Sequence, residues 1–528
     1  MTTDRDDEYS KFVPIKQQFE IVPYKDKEHY QCSSLSVASD NSCERASRRG
    51  TFHQIIATCA VLLLAAACGM PIGYSSVLLP QLSVTNNTNE HSEIPINIAM
   101  GSWIASIHSL ATPMGSIISG PLADSIGRRT TLLISIVPMC IGWCTIANSQ
   151  TFFMIIVGRF LCGFAVGILG GPGQVYIAET TEPNLRGLLI GAPFVAYSLG
   201  ICVVYTLGSS FNWRTVAWCG NILPILASLA IFCIPETPNW LLRHKKVESA
   251  LRSLSFLRGN EIVAQKELND MVKRLDQELA TTKTNENIFE LCCQRVAIKP
   301  LIIVITLSLL QMFSGTFIVV FYAIDIISEF GGNFDTKFAA IWTGIVRMVC
   351  TIIFCVILLF VRRRRILVLA GIGSGLSCIV LSIYLYTRNF SSEPKSHADV
   401  MMAAICLLLY IAFNTPIMVM PGIMVGELFP ARIRGRTAGT VFAAMNVALF
   451  GFTKAFPYIQ IAIKMRGVFM IFAISSFLVS IVMFMFQPET KGRTLEQVED
   501  YFREDNWLWH KRDKSYKQVP NSKTSTEA

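Results

Sequence analysis

Charged residues at repeated spacings are the first chemistry this chain offers. Glu179 precedes Arg186-Gly187 by six intervening residues, and Glu427 precedes Arg434-Gly435 by the same six. Asp124 stands just before Gly127-Arg128-Arg129, and the triplets Pro235-Glu236-Thr237 and Pro488-Glu489-Thr490 match one another. Arginine and carboxylate can pair through two parallel N–H···O bonds. Pairs that keep partial contact with water are weak, about 0–1 kcal/mol, which suits a latch that must open and close. Catalysis finds no footing here. HEXXH, Gly-x-Ser-x-Gly and paired-carboxylate signatures are absent, Gly170-Gly171-Pro172-Gly173 lacks the Lys-Ser/Thr of a phosphate loop, and Cys292-Cys293 lacks metal-site spacing. No enzyme activity, metal or cofactor is expected.

These residues need elements to position them, and the composition says which. Of 528 residues, 52% are hydrophobic and only 16% charged, with a mean hydropathy of +0.45. Soluble domains carry about 25% charged residues. The apolar residues gather in stretches of about 20, the length of a membrane-crossing helix. A soluble enzyme, a secreted disulfide scaffold and a disordered chain are thereby excluded. The pattern predicts an all-α polytopic membrane protein with twelve spans, near 53–79, 97–120, 130–147, 152–176, 189–209, 213–234, 300–328, 338–360, 366–387, 399–426, 437–457 and 466–487. The first apolar run follows some 50 polar residues and is expected to act as an uncleaved signal anchor.

Placing both termini in the cytosol puts 37 of the 46 Lys and Arg residues on the inner side and 6 on the outer side. That bias accounts for the net charge of +9 without a nucleic-acid partner. The glycosylation acceptors Asn86 and Asn389 both fall in predicted outer loops, which suits a plasma-membrane protein. The expected organisation is a polar N-terminal tail (1–52), a six-helix bundle (53–234), a cytosolic insert (235–299), a second six-helix bundle (300–487) and a C-terminal tail (488–528). In the insert, Val247, Ala250, Leu251, Leu254 and Leu257, then Ile262, Val263, Met271, Val272, Leu275 and Leu279, recur at helical spacing. The C-terminal tail opens on a capping-box pattern at Thr494-Leu495-Glu496-Gln497.

The matching motifs sit at equivalent places in the two halves, offset by roughly 235 to 253 residues, so the chain reads as two pseudo-symmetric bundles. Parallel six-helix repeats of this kind resemble the major facilitator fold, in which a solute is held between the halves near the midplane. Gly120-Pro121-Leu122-Ala123-Asp124-Ser125-Ile126-Gly127-Arg128-Arg129 is similar to the loop signature of that superfamily. Gly158-Arg159-Phe160-Leu161-Cys162-Gly163, Pro235-Glu236-Thr237-Pro238-Asn239-Trp240-Leu241-Leu242, Gly426-Glu427-Leu428-Phe429-Pro430 and Pro488-Glu489-Thr490-Lys491-Gly492 resemble its sugar-porter family. The order and spacing look most like the insect facilitated trehalose transporters, with the facilitative glucose transporters as further kin. The resemblance implies a cytosolic salt-bridge network of Asp124, Arg128, Arg129, Arg159, Glu179, Arg186, Glu236, Glu427, Arg434 and Glu489. It also implies a carrier of a small polar solute, a sugar such as trehalose or a hexose, moved by alternating access. Ser75 stands where proton-coupled sugar porters place an Asp, which favours facilitated diffusion.

The solute positions depart from the family pattern. Met312 replaces the second Gln of a Gln-Gln pair, Phe317 and Arg347 stand at Asn positions, Gly422 follows Pro421 where a Trp is usual, and Met445-Asn446 replaces Asn-Trp. Gln311, Tyr322, Asn414, Asn446, Tyr74 and Arg347 remain as candidate solute contacts. Arg347 lies mid-span, where a charge costs about 2.5–3.5 kcal/mol on insertion scales. Two readings of it stand open: a cation facing the cavity, or a structural pair with Asp325. Two alternatives to a sugar carrier follow, a carrier of an organic anion or other non-sugar metabolite, and a solute-binding sensor with little transport. For Arg159, taken on its own, the preferred reading is a structural tie between helices.

Overall fold

The computed structural model describes residues 36–83, 94–182, 189, 191–281, 295–328, 336–388, 397–429, 434–489 and 501–502. Six helices build the first half: α1 (Ser36–Ser83), α2 (Ile98–Ile126), α3 (Arg128–Ala147), α4 (Phe152–Thr180), α5 (Ala192–Ser210) and α6 (Trp213–Phe232). Three shorter ones form the insert: α7 (Pro238–Arg243), α8 (Val247–Arg258) and α9 (Glu261–Thr281). The second half holds α10 (Arg295–Phe313), the short pieces α11 (Ile318–Phe321) and α12 (Ala323–Ser328), then α13 (Thr336–Phe360), α14 (Arg363–Arg388), α15 (His397–Leu428) and α16 (Arg434–Phe486).

Ten described helices are long and apolar enough to cross a membrane. One of them, α16, is two crossings joined at Lys464, whose φ of 59° and ψ of 170° break the helix. With α2 this makes the twelve expected. The hydropathy of α2 is diluted by small polar residues, and its packing explains them. Ser102, Ser106, Ser109, Thr112 and Gly115 are buried. A Cβ on Gly163 or Gly167 of α4 would stand 2.2 Å and 2.1 Å from the carbonyls of His108 and Thr112. With no hydrophobic drive between helices in lipid, small residues that allow such close approach supply the packing energy.

The insert has its own apolar centre of Trp240, Leu241, Leu254, Leu268 and Val272. Ile262 and Val263 do not join it, being 78% and 47% exposed. The inward stripe of α9 runs through Ala264, Leu268, Val272 and Leu275, and Ile262 and Val263 fall off that stripe in the first turn. The Thr494–Gln497 pattern, Asn86 and Asn389 lie outside the described residues.

Among the described residues, the two halves meet chiefly along three seams. Helix α2 packs against α16, α5 against α13, and α1 against α11 and α12. The insert lies at the end of the first half that carries Gly127 and Glu236, here termed the insert face.

Candidate functional site

On the insert face each half builds the same three-residue arrangement. In the first half, Glu236 follows α6 and turns its carboxylate onto the start of α3. Oε1 accepts the backbone N–H of Arg128 at 3.0 Å and of Arg129 at 3.1 Å. A helix N-terminus has unpaired N–H groups and a partial positive charge, so a carboxylate is stabilising there. The Arg128 side chain faces Asp124 at 3.2 Å and Glu179, at the end of α4, at 3.6 Å. Arg129 instead donates to the last carbonyls of α6, Ile231 at 3.0 Å and Phe232 at 2.7 Å.

In the second half, Glu489 follows α16 and accepts the backbone N–H of Arg363 at 3.3 Å. The Arg363 guanidinium grips Glu427, near the end of α15, at 2.7 Å and 3.0 Å. Arg363 is thus the counterpart of Arg128, Glu427 of Glu179, and Glu489 of Glu236. Arg363 is not among the residues singled out from the sequence above. Its signal was there, as the residue that begins α14 just as Arg128 begins α3. Arg186 and the side chain of Arg434 lie outside the described residues.

Arg159 does not belong to this network. It is the eighth residue of α4, 20 residues before Glu179 and therefore about 30 Å from it along the helix. Its guanidinium is fully buried and donates to Ser75 Oγ at 2.5 Å, to the Ile104 carbonyl at 3.2 Å and to the Pro71 carbonyl. It ties α4 to α1 and α2 through neutral groups alone.

A second buried polar cluster sits where the first crossing of the second half comes apart. Helix α10 stops at Phe313, and Gly315 takes a φ of +81° that L-residues rarely adopt. The broken turn frees backbone groups that would be costly in an apolar interior. Side chains satisfy them. Tyr410 donates to the Ser314 carbonyl at 2.5 Å, Asn414 donates to the same oxygen at 3.3 Å and to Ser374 Oγ at 3.3 Å, and Arg347 donates to the Thr316 carbonyl at 3.3 Å. Thr316 donates its hydroxyl hydrogen to Asn414 Oδ1. Gln311 Nε2 holds the Met418 carbonyl at 2.9 Å, while its Oε1 is buried without a hydrogen-bond partner among the described residues. Arg347 reaches the thioether of the same Met418 at 3.0 Å.

Gln311, Asn414 and Arg347 are therefore brought together around α15. The other candidates are not. Tyr74 is buried in the first half, its hydroxyl donating to the Trp213 carbonyl at 2.8 Å and its ring set edge-on to Trp143. Tyr322 packs on Phe456 and donates to the Thr453 carbonyl at 3.3 Å. Asn446 spends its amide on the Phe442 carbonyl of its own helix at 2.9 Å. Ser314, Thr316 and Tyr410 escaped the sequence reading, since nothing in their neighbours' spacing tells that a helix breaks beside them.

On the side opposite the insert, contacts cross between the halves. Lys454 of α16 donates to Ser102 Oγ of α2 at 2.8 Å and stands 4.0 Å from the centre of the Trp103 ring. Ser76 of α1 accepts the backbone N–H of Ile324 at 3.1 Å, and Tyr205 of α5 donates to the Val320 carbonyl at 2.7 Å. The two ion-paired clusters of the insert face thus each lie within one half, the polar cluster at the broken α10 lies within the second, and these opposite-side contacts tie the halves to each other.

A family model described as "Sugar (and other) transporter" matches residues 44–502. The chain belongs to the sugar transporter family. Among its relatives, the facilitated trehalose transporter Tret1-2 homolog of Drosophila simulans is 32% identical over 450 residues, covering 85% of this chain and 91% of that protein. The facilitated trehalose transporter Tret1 of Apis mellifera ligustica is 32% identical over 451 residues, covering 85% and 88%. The fold is that of the xylose transporter XylE from E. coli. Its inward-open structure superposes with a TM-score of 0.67 at 20% identity, covering 84% of this chain and 98% of XylE. The proton:xylose symporter XylE bound to 6-bromo-6-deoxy-D-glucose gives 0.68 at 21%, covering 86% and 100%. A sugar-transporter fold thus frames both clusters described above, and the chain is a transporter rather than an enzyme.

Proposed function

We propose that this chain carries a small sugar, trehalose or a hexose, across the plasma membrane by facilitated diffusion, with both termini in the cytosol. The observation that carries the reading is the polar cluster at the broken α10, where Gln311, Asn414 and Arg347 converge beside the seam of two matching bundles. Its relatives, named as facilitated trehalose transporters, favour a sugar as the solute. Broken helices with satisfied backbone groups are where membrane carriers hold their solutes. On this reading the insert face is cytosolic, and the Arg128 and Arg363 clusters hold each half's helix ends in register while the halves rock. Segments 53–234 and 300–487 act as the two moving units, and 235–299 rides with the first.

Arg159 supports the absence of proton coupling, since its partners Ser75, Pro71 and Ile104 offer hydroxyl and carbonyl oxygens and no carboxylate. The test is counter-flow in proteoliposomes with labelled trehalose and glucose. Preloaded sugar should accelerate entry of the labelled sugar, and a protonophore should leave the rate unchanged. Saturable binding without exchange would instead identify a sensor. Endoglycosidase treatment of the surface protein, with a mobility shift lost in Asn86→Gln and Asn389→Gln, tests the proposed orientation.

A further inference from the structure

Arg347 is the twelfth residue of the 25-residue helix α13, which puts it about 16–20 Å from either end. It is only 5% exposed. Among the described residues, the ionisable side chains near enough to act on it are Tyr205, Tyr410 and Cys350, none of them a carboxylate. Asp325 is not among them. Among the described residues, the hydrogen-bond partners of the Arg347 guanidinium are a thioether and one carbonyl, both neutral and both weaker acceptors than a carboxylate. A cation taken so far from water with neutral partners only is undercompensated.

Two further observations say what would compensate it. Gln311 Oε1 is buried and has no donor, although its own Nε2 and the Arg347 guanidinium both touch Met418. An orphaned acceptor beside an uncompensated fork of donors asks for a molecule with a hydroxyl at one end and an anion at the other. The position is also reachable in a carrier that opens along its seams. Tyr205 belongs to α5 of the first half, and one turn from Arg347 the Thr351 hydroxyl lies 3.3 Å from Ser198 of α5, so Arg347 borders the seam between the halves.

We propose that the site accepts carboxylated sugars of the hexuronate class, with Arg347 receiving the carboxylate and Gln311 Oε1 accepting a sugar hydroxyl. This rests on the carrier reading above and sharpens its substrate class. Charge-assisted, two-pronged Arg–carboxylate contacts are about twice as strong as neutral hydrogen bonds, so an acid should be preferred to its neutral isostere.

The experiment uses the full chain in proteoliposomes, with labelled D-glucuronate, unlabelled D-glucuronate and its neutral analogue D-glucuronamide, and labelled glucose as reference. Preloaded glucuronate should drive entry of labelled glucuronate, and the acid should compete at least tenfold better than the amide. Net uptake should be electrogenic, a potential of about 100 mV shifting the equilibrium ratio of the monoanion about 50-fold and leaving that of glucose unmoved. Arg347→Gln should collapse the acid-over-amide preference, and Arg347→Lys should restore part of it. Glucose exchange without glucuronate exchange overturns the proposal and leaves the sugar-carrier reading standing. Exchange of neither by folded protein overturns the proposal, and the sugar-carrier reading falls with it if labelled trehalose also fails to exchange. Equal competition by acid and amide in the wild-type chain also overturns it, with no variant needed.

Discussion

A Cβ added to Gly127 would stand 2.3 Å from Oε2 of Glu236. Gly127 also holds a φ of 102° with a ψ of 157°, an extended positive-φ conformation that is essentially glycine's own and costs an L-residue about 1–3 kcal/mol. The contact explains why the turn before α3 needs glycine twice over: the backbone must bend the wrong way, and the carboxylate must reach the first N–H groups of the helix. Gly127→Ala is expected to lower the thermal midpoint of the detergent-solubilised protein and to cut transport severalfold, read by fluorescence size-exclusion melting and by uptake. Glu236→Gln keeps an acceptor but loses the charge at the helix end, and should cost less, about 0.3–1 kcal/mol.

Arg363 and Glu427 offer a test of the duplication. If Arg363 serves the second half as Arg128 serves the first, Arg363→Ala should impair transport about as much as Arg128→Ala. Arg362→Ala, one residue away, should impair it far less. Initial uptake rates at matched surface expression decide the matter, and equal effects at Arg362 and Arg363 would refute the assignment.

The insert is pinned to the first half by Arg258. Its side chain is 5% exposed, grips Glu267 of α9 at 2.6 Å and 2.8 Å, and donates to the Thr180 carbonyl at the end of α4 at 3.1 Å. Hydrogen bonds to charged groups contribute about 1.5–3 kcal/mol when one partner is removed. Arg258→Ala should loosen α8 and α9 before the bundle melts, seen as faster proteolysis within 235–299 at unchanged bundle stability. A double cycle with Glu267→Ala should show coupling, and additive losses would argue against the contact.

Lys454 straps α16 to α2 on the side opposite the insert through Trp103 and Ser102. A cation–π contact of this kind contributes about 0.5–2 kcal/mol, enough to shift a two-state equilibrium roughly 2- to 30-fold. Trp103→Ala should favour the state open on that side. The readout is the rate at which a membrane-impermeant thiol reagent modifies Ser76→Cys, and an unchanged rate would remove the strap from the account.

Gly315 stands at the break of α10, where a Cβ would meet the Phe472 ring at 2.3 Å. Gly315→Ala should therefore slow transport by an order of magnitude, checked by counter-flow rates. Phe472→Leu should recover only part of the loss, because relieving the clash leaves the positive φ in place.

The amino-acid sequence alone determined the number of crossings, the duplication and the family. Hydropathy over 20 residues and the recurrence of short motifs are local properties of a chain, and lipid forces each such stretch to satisfy its own backbone. It also marked Gln311, Asn414 and Arg347, since amides and a cation within apolar spans are conspicuous. Tertiary structure decided the partners. Arg363 meets Glu427, Arg159 is answered by Ser75 and carbonyls about 30 Å from the network it resembles by motif, Tyr74 is spent within the first half, and Arg347 finds no carboxylate among the described residues. Each of these joins residues tens to hundreds of positions apart, and which side chain reaches which depends on how whole helices rotate and slide against one another. A span's composition says that it will be a helix; only packing says what each face of it will touch.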